Sequence, residues 1–333
     1  MKITLKDIAD DTGYAISTIS RVLRGSEKIS LDTQEKVLSS AEKLGYKIPK
    51  NVDDKAKHQL NFALVASGFH EGEFYSSFFN GLNIACSNQN ARLFLIAIRN
   101  YRKGLKKILR ELTCEYFDGI ILNVPEMQKS DYEKISSVIP SKFPVISNSL
   151  IEAPVYPTVT FDSYSGGYLA AKHLHDRGYQ KVGIILGPDN RSESRFRKNG
   201  FVDYVSQQKE LEITWMCDGN FEFQAGVDAF LNFKKLKDNR PEAIFASNDT
   251  MASGFLETAK KHNYSIPDDV ALIGYDDLPH NLYCYPSLSS VHTDYEKLGN
   301  ATVKALLDSI SEKYQRSNLL SFVPVSISHK ESS

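Results

Sequence analysis

From residue 61 onward, short runs rich in β-branched and aromatic residues alternate with amphipathic stretches, and this alternation restricts the body of the chain to parallel α/β architecture. Residues 62–66, 92–98, 119–123, 144–147 and 159–161 read as strands, with helices at 76–88 and 103–115 between them. A second series follows, with helices at 163–177, 196–208, 225–235 and 250–262 and strands at 182–186, 213–216, 243–246 and 270–274. Two doubly wound sheets would each carry their binding loops at the carboxyl ends of the strands. A cleft between them then collects polar groups from both.

The 333 residues are 41% hydrophobic and 24% charged with a formal net charge of -1, enough apolar material for two or three packed domains and too little charge for wholesale disorder. The first eleven residues contain Asp7, Asp10 and Asp11 and no apolar signal core. No window approaches the roughly 18 apolar residues of a membrane span, so a cytoplasmic protein without a membrane partner is expected. Cys86, Cys114, Cys217 and Cys284 form no C-x-x-C, and the histidines form no H-x-x-x-H, so neither disulfides nor a metal site is expected.

The β-α repeats raise the possibility of a dinucleotide enzyme. The segment Ser67-Gly-Phe-His-Glu-Gly72 lacks G-x-G-x-x-G spacing, and Gly166-Gly167 stands alone. G-x-S-x-G, a P-loop and paired catalytic acids are missing from the sequence, so the reading is a non-enzyme without a cofactor.

The first fifty residues are different in kind. Thr4 and Asp7 have capping-box spacing, Leu5, Ile8 and Ala9 fall on one helical face, and Gly13 ends the run. Ile16, Ile19, Val22 and Leu23 mark a second helix. Ser30 and Asp32 open a third, with a stripe of Val37, Leu38, Ala41 and Leu44 closed by Gly45. Two short helices joined by a tight turn and braced by a third form a helix-turn-helix unit, whose second helix can enter a DNA major groove. Its exposed face would present Ser17, Thr18, Ser20 and Arg21, hydroxyls for phosphates or base edges and a guanidinium able to read guanine. Charge adds little, because residues 1–60 hold eleven Lys and Arg against nine Asp and Glu, or 11 - 9 = +2. A three-helix protein-interaction module has the same periodicity.

Residue identity goes further. Thr4-Leu-Lys-Asp-Ile-Ala9, Gly13, Ser17-Thr-Ile-Ser-Arg-Val-Leu23 and Leu44-Gly-Tyr46 resemble the LacI/GalR family of bacterial transcription regulators, and the resemblance covers nearly the whole chain. It implies a helix-turn-helix head (1–46), a hinge (47–60) and a periplasmic-binding-protein-like body. The body's N-subdomain would be 61–161 with 290–320, and its C-subdomain 162–289 with 321–333, with crossovers near Phe161, Ser289 and Leu320.

By the same resemblance the DNA-binding set is Thr4, Ile16, Ser17, Thr18, Ser20, Arg21 and Arg24, with Ile16 and Ser17 at the specificity-setting positions. Ile16 can meet a thymine methyl group. Three departures from the family stand out. Ala15 replaces the usual capping Ser, at a cost of about 1 kcal/mol. Arg24 replaces an Asn and adds a charge for phosphate contact. The hinge 47–57 has no Leu to wedge into a minor groove, leaving Ile48 or Val52 for that task and placing Asp53 and Asp54 against phosphates.

Carbohydrate sites combine planar hydrogen-bonding groups with aromatic faces. The resemblance places Phe74, Tyr75, Asn148, Arg197, Phe221, Asn248 and Asp276 at the effector. Tyr75 reads equally as a helix-start staple, and Phe221 as a core aromatic. Asn248 is assigned to ligand, Asp249 to capping the helix, Asp277 to structure and Arg195 to a surface salt bridge. Asn148-Ser149 replaces the Asp and Arg common in relatives, so the resemblance leaves the identity of the effector open. The chain thus reads as a dimeric, DNA-binding transcriptional repressor on a pseudo-palindromic operator, controlled allosterically by a small sugar or sugar derivative. No leucine heptads follow Val325, so a dimer is expected over a tetramer. A co-repressor-type regulator binding a purine-like metabolite, or a cytosolic solute sensor with impaired DNA binding, are the alternatives.

Overall fold

The structure is a computed structural model that describes residues 3–23, 29–46, 59–67, 72–311 and 318–333. It divides into a head (1–59) and a body (60–333). The head contains α1 (Leu5–Thr12), α2 (Ile16–Leu23) and α3 (Leu31–Lys43). Thr4 starts α1: its N–H and hydroxyl both donate to Asp7 Oδ2, at 2.6 and 2.7 Å. Gly13 ends it at φ +73°, a left-handed turn that a side chain would strain. Ile8, Ile19, Val22, Val37 and Ala41 form the buried core, while Asp11 ties α1 to α3 through Ser40 and Lys43. Leu38, expected in the stripe of α3, is exposed. Five apolar side chains already close so small a core, and the neighbouring Val37 takes the inward position.

The first part of the body runs β1 (Leu60–Ser67), α4 (Glu73–Asn88), β2 (Ala91–Ile98), α5 (Leu105–Glu115), β3 (Gly119–Asn123), α6 (Lys129–Ser136), β4 (Val145–Ser147) and β5 (Thr158–Phe161). The chain then forms α7 (Ser163–Asp176), β6 (Lys181–Ile185), α8 (Ser192–Ser206), β7 (Glu212–Cys217), α9 (Phe223–Lys234), β8 (Ala243–Ala246), α10 (Asp249–Lys261) and β9 (Ala271–Asp276). It closes with β10 (Ser289–His292), α11 (Tyr295–Ile310), β11 (Leu320–Val323) and β12 (Ser326–Ser328). One sheet has the order β11-β5-β4-β3-β1-β2 and is parallel throughout. The other, β12-β10-β9-β8-β6-β7, is parallel except for its last-formed edge strand.

Both sheets are covered on two faces, which is why their inner strands are continuous apolar runs rather than alternating ones. Phe62, Leu64, Ile121 and Ile146 face α4 and α11, while Ala63, Val65, Ile120 and Leu122 pack with Leu109 and Tyr132 on the opposite side. The second sheet is sandwiched likewise, between Phe230, Phe233 and Phe255 and the Ala170, Phe201 and Tyr204 cluster. Helices α7 and α8 approach more closely than side chains permit. A Cβ at Gly167 would lie 1.9 Å from the Arg197 carbonyl oxygen, and one at Gly200 would lie 1.9 Å from that of Tyr164. Of Gly166-Gly167, isolated as a nucleotide motif, Gly167 admits the α8 backbone and Gly166 makes room for the Tyr275 ring.

The chain passes between the sheets three times, after β5, after β10 and after β11. The second and third passages lie slightly beyond Ser289 and Leu320, because β10 still pairs within the second sheet and β11 within the first. Helix α4 begins at Glu73, so Phe74 and Tyr75 occupy its first turn instead of preceding it. The short polar α6 was not anticipated from sequence. Among the described residues no helix is long and apolar enough to cross a membrane.

Candidate functional site

In both sheets the order reverses beside the first strand, β1 between β2 and β3 and β6 between β7 and β8. The carboxyl ends at such points leave a crevice. Ser67, Asn123 and Ser147 end strands of the first sheet; Ser247 follows β8 and Asp276 ends β9 in the second. All are buried.

Arg197, on α8, is the centre of the second wall. Its guanidinium carbon lies 3.5 Å from the Tyr275 ring centroid and 5.6 Å from that of Phe221. Nη1 donates to the Ser247 carbonyl, Nη2 lies 3.6 Å from Asp276 Oδ1, and Nε is buried without a partner. A guanidinium held flat between rings, with a donor to spare, suits bidentate recognition of hydroxyl or carbonyl oxygens.

Asp276 has φ +112° and Phe221 φ +72°, unusual for residues with side chains, and such strain concentrates where a site must be held in shape. Burial pushes the Asp276 carboxyl up to about 7, against the pull of Arg197. Its neighbour Asp249 is pushed up to about 8 by burial and by Asp276. Asp249 accepts from Leu278 N–H at 2.8 Å, Asn281 Nδ2 at 2.7 Å and Ser290 Oγ at 2.7 Å, which fastens the loop after β9 to α10.

The cap of α10 is therefore not Asp249. Asn248 Oδ1 accepts from Met251 N–H at 3.0 Å, and its Nδ2 donates to the Phe221 carbonyl at 2.9 Å. Asn248 thus holds Phe221 in place, because Asp249 is drawn inward by three donors. Asn148 is also turned inward: Nδ2 donates to Val159 O at 2.7 Å and Thr302 Oγ1 at 2.8 Å, within the first subdomain. A buried amide takes partners where it finds them, and here they lie beneath α11. Asp277 pairs with Lys330 and His292, and Arg195 with Glu152.

Tyr75 is buried at the cleft. Burial raises its hydroxyl pKa, while the charges of Arg191 and Glu126 act on it in opposite senses. Phe74, half-buried, packs edge-on against Tyr75 and Tyr295. The structure thus gathers Tyr75, Arg197, Phe221 and Asp276 around the cleft, with Asn248 behind Phe221, while Asn148 spends Nδ2 on Val159 and Thr302 and keeps Oδ1 buried without a partner.

Sequence reasoning missed Glu126, Arg191 and Glu193, which cross the cleft. Arg191 Nη2 donates to Glu126 Oε1 at 2.9 Å, and Ser67 Oγ donates to Oε2 of the same carboxylate. The Leu150 N–H donates to Glu193 Oε1 at 3.1 Å, and Gln128 Nε2 to the Asn190 carbonyl at 3.2 Å. Glu193 stands four residues before Arg197 on one helical face, the sole sequence signal that could have found it. A separate cavity of about 460 Å³ lies near Tyr264, Pro267 and Tyr285, remote from these side chains. Convergent charge favours the cleft over that cavity as the ligand site.

In the head, α2 turns Ile19 and Val22 into the core and leaves Ile16, Ser17 and Arg21 exposed, with Thr18 and Ser20 half-buried. The Ala15 carbonyl accepts from Thr18 and Ile19 N–H at 2.8 and 3.0 Å, so helix α2 starts there without a side-chain cap. Thr4 is exposed at the start of α1. Arg24 and hinge residues 47–58, with Ile48 and Val52, lie outside the described residues.

Residues 4–48 match the family described as bacterial regulatory proteins, lacI family, and residues 171–333 match a periplasmic binding protein-like domain. The chain joins a lacI-family helix-turn-helix head to a periplasmic-binding-protein-like body of two parallel-sheet subdomains, the make-up of a DNA-binding transcription regulator. A curated relative is the HTH-type transcriptional repressor PurR of Haemophilus influenzae (strain PittEE), 27% identical over 314 residues, covering 93% of this chain and 92% of that one. In fold, the chain is similar to the Lac repressor dimer bound to operator and the anti-inducer ONPF, with a TM-score of 0.77 and 21% identity over 100% and 99% of the two chains. It is also similar to a transcriptional regulator CelR–cellobiose complex, with a TM-score of 0.70 and 24% identity over the full length of both.

Proposed function

We propose that this chain is a cytoplasmic, homodimeric repressor whose head binds a pseudo-palindromic operator and whose cleft binds a small sugar or sugar derivative. The observation that carries the effector assignment is Arg197, laid on the Tyr275 ring beside Phe221 and facing Asp276. Planar donors and acceptors match vicinal hydroxyls, and aromatic faces match sugar C–H surfaces. The named ligand of the CelR structure is cellobiose, which supports the same class. Residues 1–46 form the head, 47–60 its hinge and the remainder the effector body. Thr4, Ile16, Ser17, Thr18, Ser20, Arg21 and Arg24 are assigned to DNA, with Arg21 reading a base edge and the hydroxyls positioning the helix.

Regulation follows from differential affinity. An effector that prefers one cleft geometry shifts the population toward it, and the dimer's DNA affinity changes by the same coupling energy. The test uses the full-length protein, an operator selected from random duplexes, and fluorescence anisotropy with and without sugars. Arg21→Ala is expected to weaken specific DNA binding by about 10- to 100-fold while sugar-induced thermal shifts persist. Arg197→Ala is expected to remove the shifts while DNA binding persists. Unchanged DNA affinity in the first variant, or unchanged shifts in the second, would refute the corresponding assignment.

A further inference from the structure

We infer that Glu193 selects an effector bearing an amino group, so that the cleft takes an amino sugar in preference to a neutral or phosphorylated one. This rests on the carbohydrate reading above and narrows it. Glu193 is the second residue of α8, and its position four residues before Arg197 puts both side chains on the helix face turned to the cleft. Its carboxylate is met by backbone N–H groups alone, that of Leu150 reaching Oε1 at 3.1 Å. Oε2 is enclosed and has no partner.

The two nearby arginines do not supply what is missing. Arg191 is committed to Glu126 at 2.9 Å, and Arg197 to Ser247 and Asp276. Both act on Glu193 through space, yet burial outweighs them and raises its pKa. With both guanidinium groups engaged elsewhere, Glu193 has no cation of its own, and a phosphate or carboxylate on the ligand would set oxygen against its oxygen. A neutral hydroxyl would satisfy the geometry of Oε2 and leave its charge uncompensated.

An ammonium group satisfies both. Hydrogen bonds between opposite charges are roughly twice as strong as neutral ones, and an unpaired buried charge is among the costliest features a fold can retain. Each guanidinium already has a carboxylate of its own, so a third cation at Glu193 completes a third pair. The Phe221 ring, 5.8 and 5.6 Å from the Arg191 and Arg197 guanidinium carbons, provides the apolar face against which a pyranose ring would lie.

The test is calorimetric titration of the full-length chain with matched triplets: glucose, glucosamine and glucose 6-phosphate, and the galactose and mannose equivalents. One amino member is expected to bind about tenfold or more tighter than its neutral parent, and the phosphate more weakly than either. Glu193→Gln keeps an acceptor for Leu150 N–H and removes the charge, so the amino-to-neutral affinity ratio should fall to near one. Glu193→Asp, which keeps the charge, should retain a ratio above one, and it serves as the test if the Gln variant does not fold. A neutral or phosphorylated member binding as tightly as the amine, or a ratio that survives Glu193→Gln, overturns the inference and leaves the carbohydrate reading standing. If no sugar binds while operator binding is intact, the carbohydrate reading falls and takes this inference with it.

Discussion

Adding a single methyl group at Gly167 should disable the effector site without touching any polar side chain in it. The Cβ of Gly167→Ala would lie 1.9 Å from the Arg197 carbonyl oxygen and 2.8 Å from its carbon. Ordinary contact begins at 3.4 Å, so α7 and α8 must separate by about 3.4 - 1.9 = 1.5 Å. Both surfaces are backbone, with no flexible side chain to yield, which places the cost near the upper end of the usual 1–3 kcal/mol for overpacking, about 3 kcal/mol. For a body of this size that corresponds to a melting temperature lower by about 6–12 °C. The displaced backbone belongs to Arg197, whose stacking on Tyr275 at 3.5 Å does not tolerate such a shift, so effector affinity should fall by about tenfold or more. Circular dichroism melts and calorimetric titration of the full-length variant measure the two effects. A melt within about 2 °C of the parent, with effector affinity intact, would refute the claim that this helix crossing sets the position of Arg197.

Two further outcomes concern charge. The buried Asp249–Asp276 pair has folded pKa values of about 8 and 7 against an ordinary 3.8, so the folded state holds more protons than the unfolded one between these limits. Stability should therefore fall as pH rises from about 5 to 8, by at most about 1.4 kcal/mol per pH unit for each proton, and Asp249→Asn should flatten the profile. Urea melts across that range check this, and a rise in stability would contradict it. Across the cleft, Glu126 and Arg191 are 28% and 27% exposed, and a double-mutant cycle with alanine should return a coupling of about 1 kcal/mol. A coupling indistinguishable from zero would mean that this pair does not hold the halves together.

The strands were the most legible part of the chain. Gly119–Asn123 and Ala243–Ala246 lie where the sequence places them, because fully buried parallel strands are short apolar runs bounded by turn formers. Helix α6 escaped notice because its eight residues bury only Tyr132 and Ile135, too few to produce a periodic stripe. Asn248 and Asp249 are adjacent and equally able to cap. Their roles are decided by Leu278, Asn281 and Ser290, which lie 29, 32 and 41 residues farther along the chain. Arg191 and Glu126 are 65 residues apart on different subdomains, and no local pattern connects them. Individual residue types and family resemblance located one wall of the cleft; the contacts that cross it exist only in the folded molecule.

The three passages between the sheets, after Phe161, His292 and Val323, have a mechanical meaning. Halves joined by one strand could twist, swivel and bend independently. Joined by three, they have fewer independent ways of moving against each other, since each added connection restrains both halves at once. A ligand in the cleft then acts on that reduced set of displacements, and chemically different molecules are read through the same few motions.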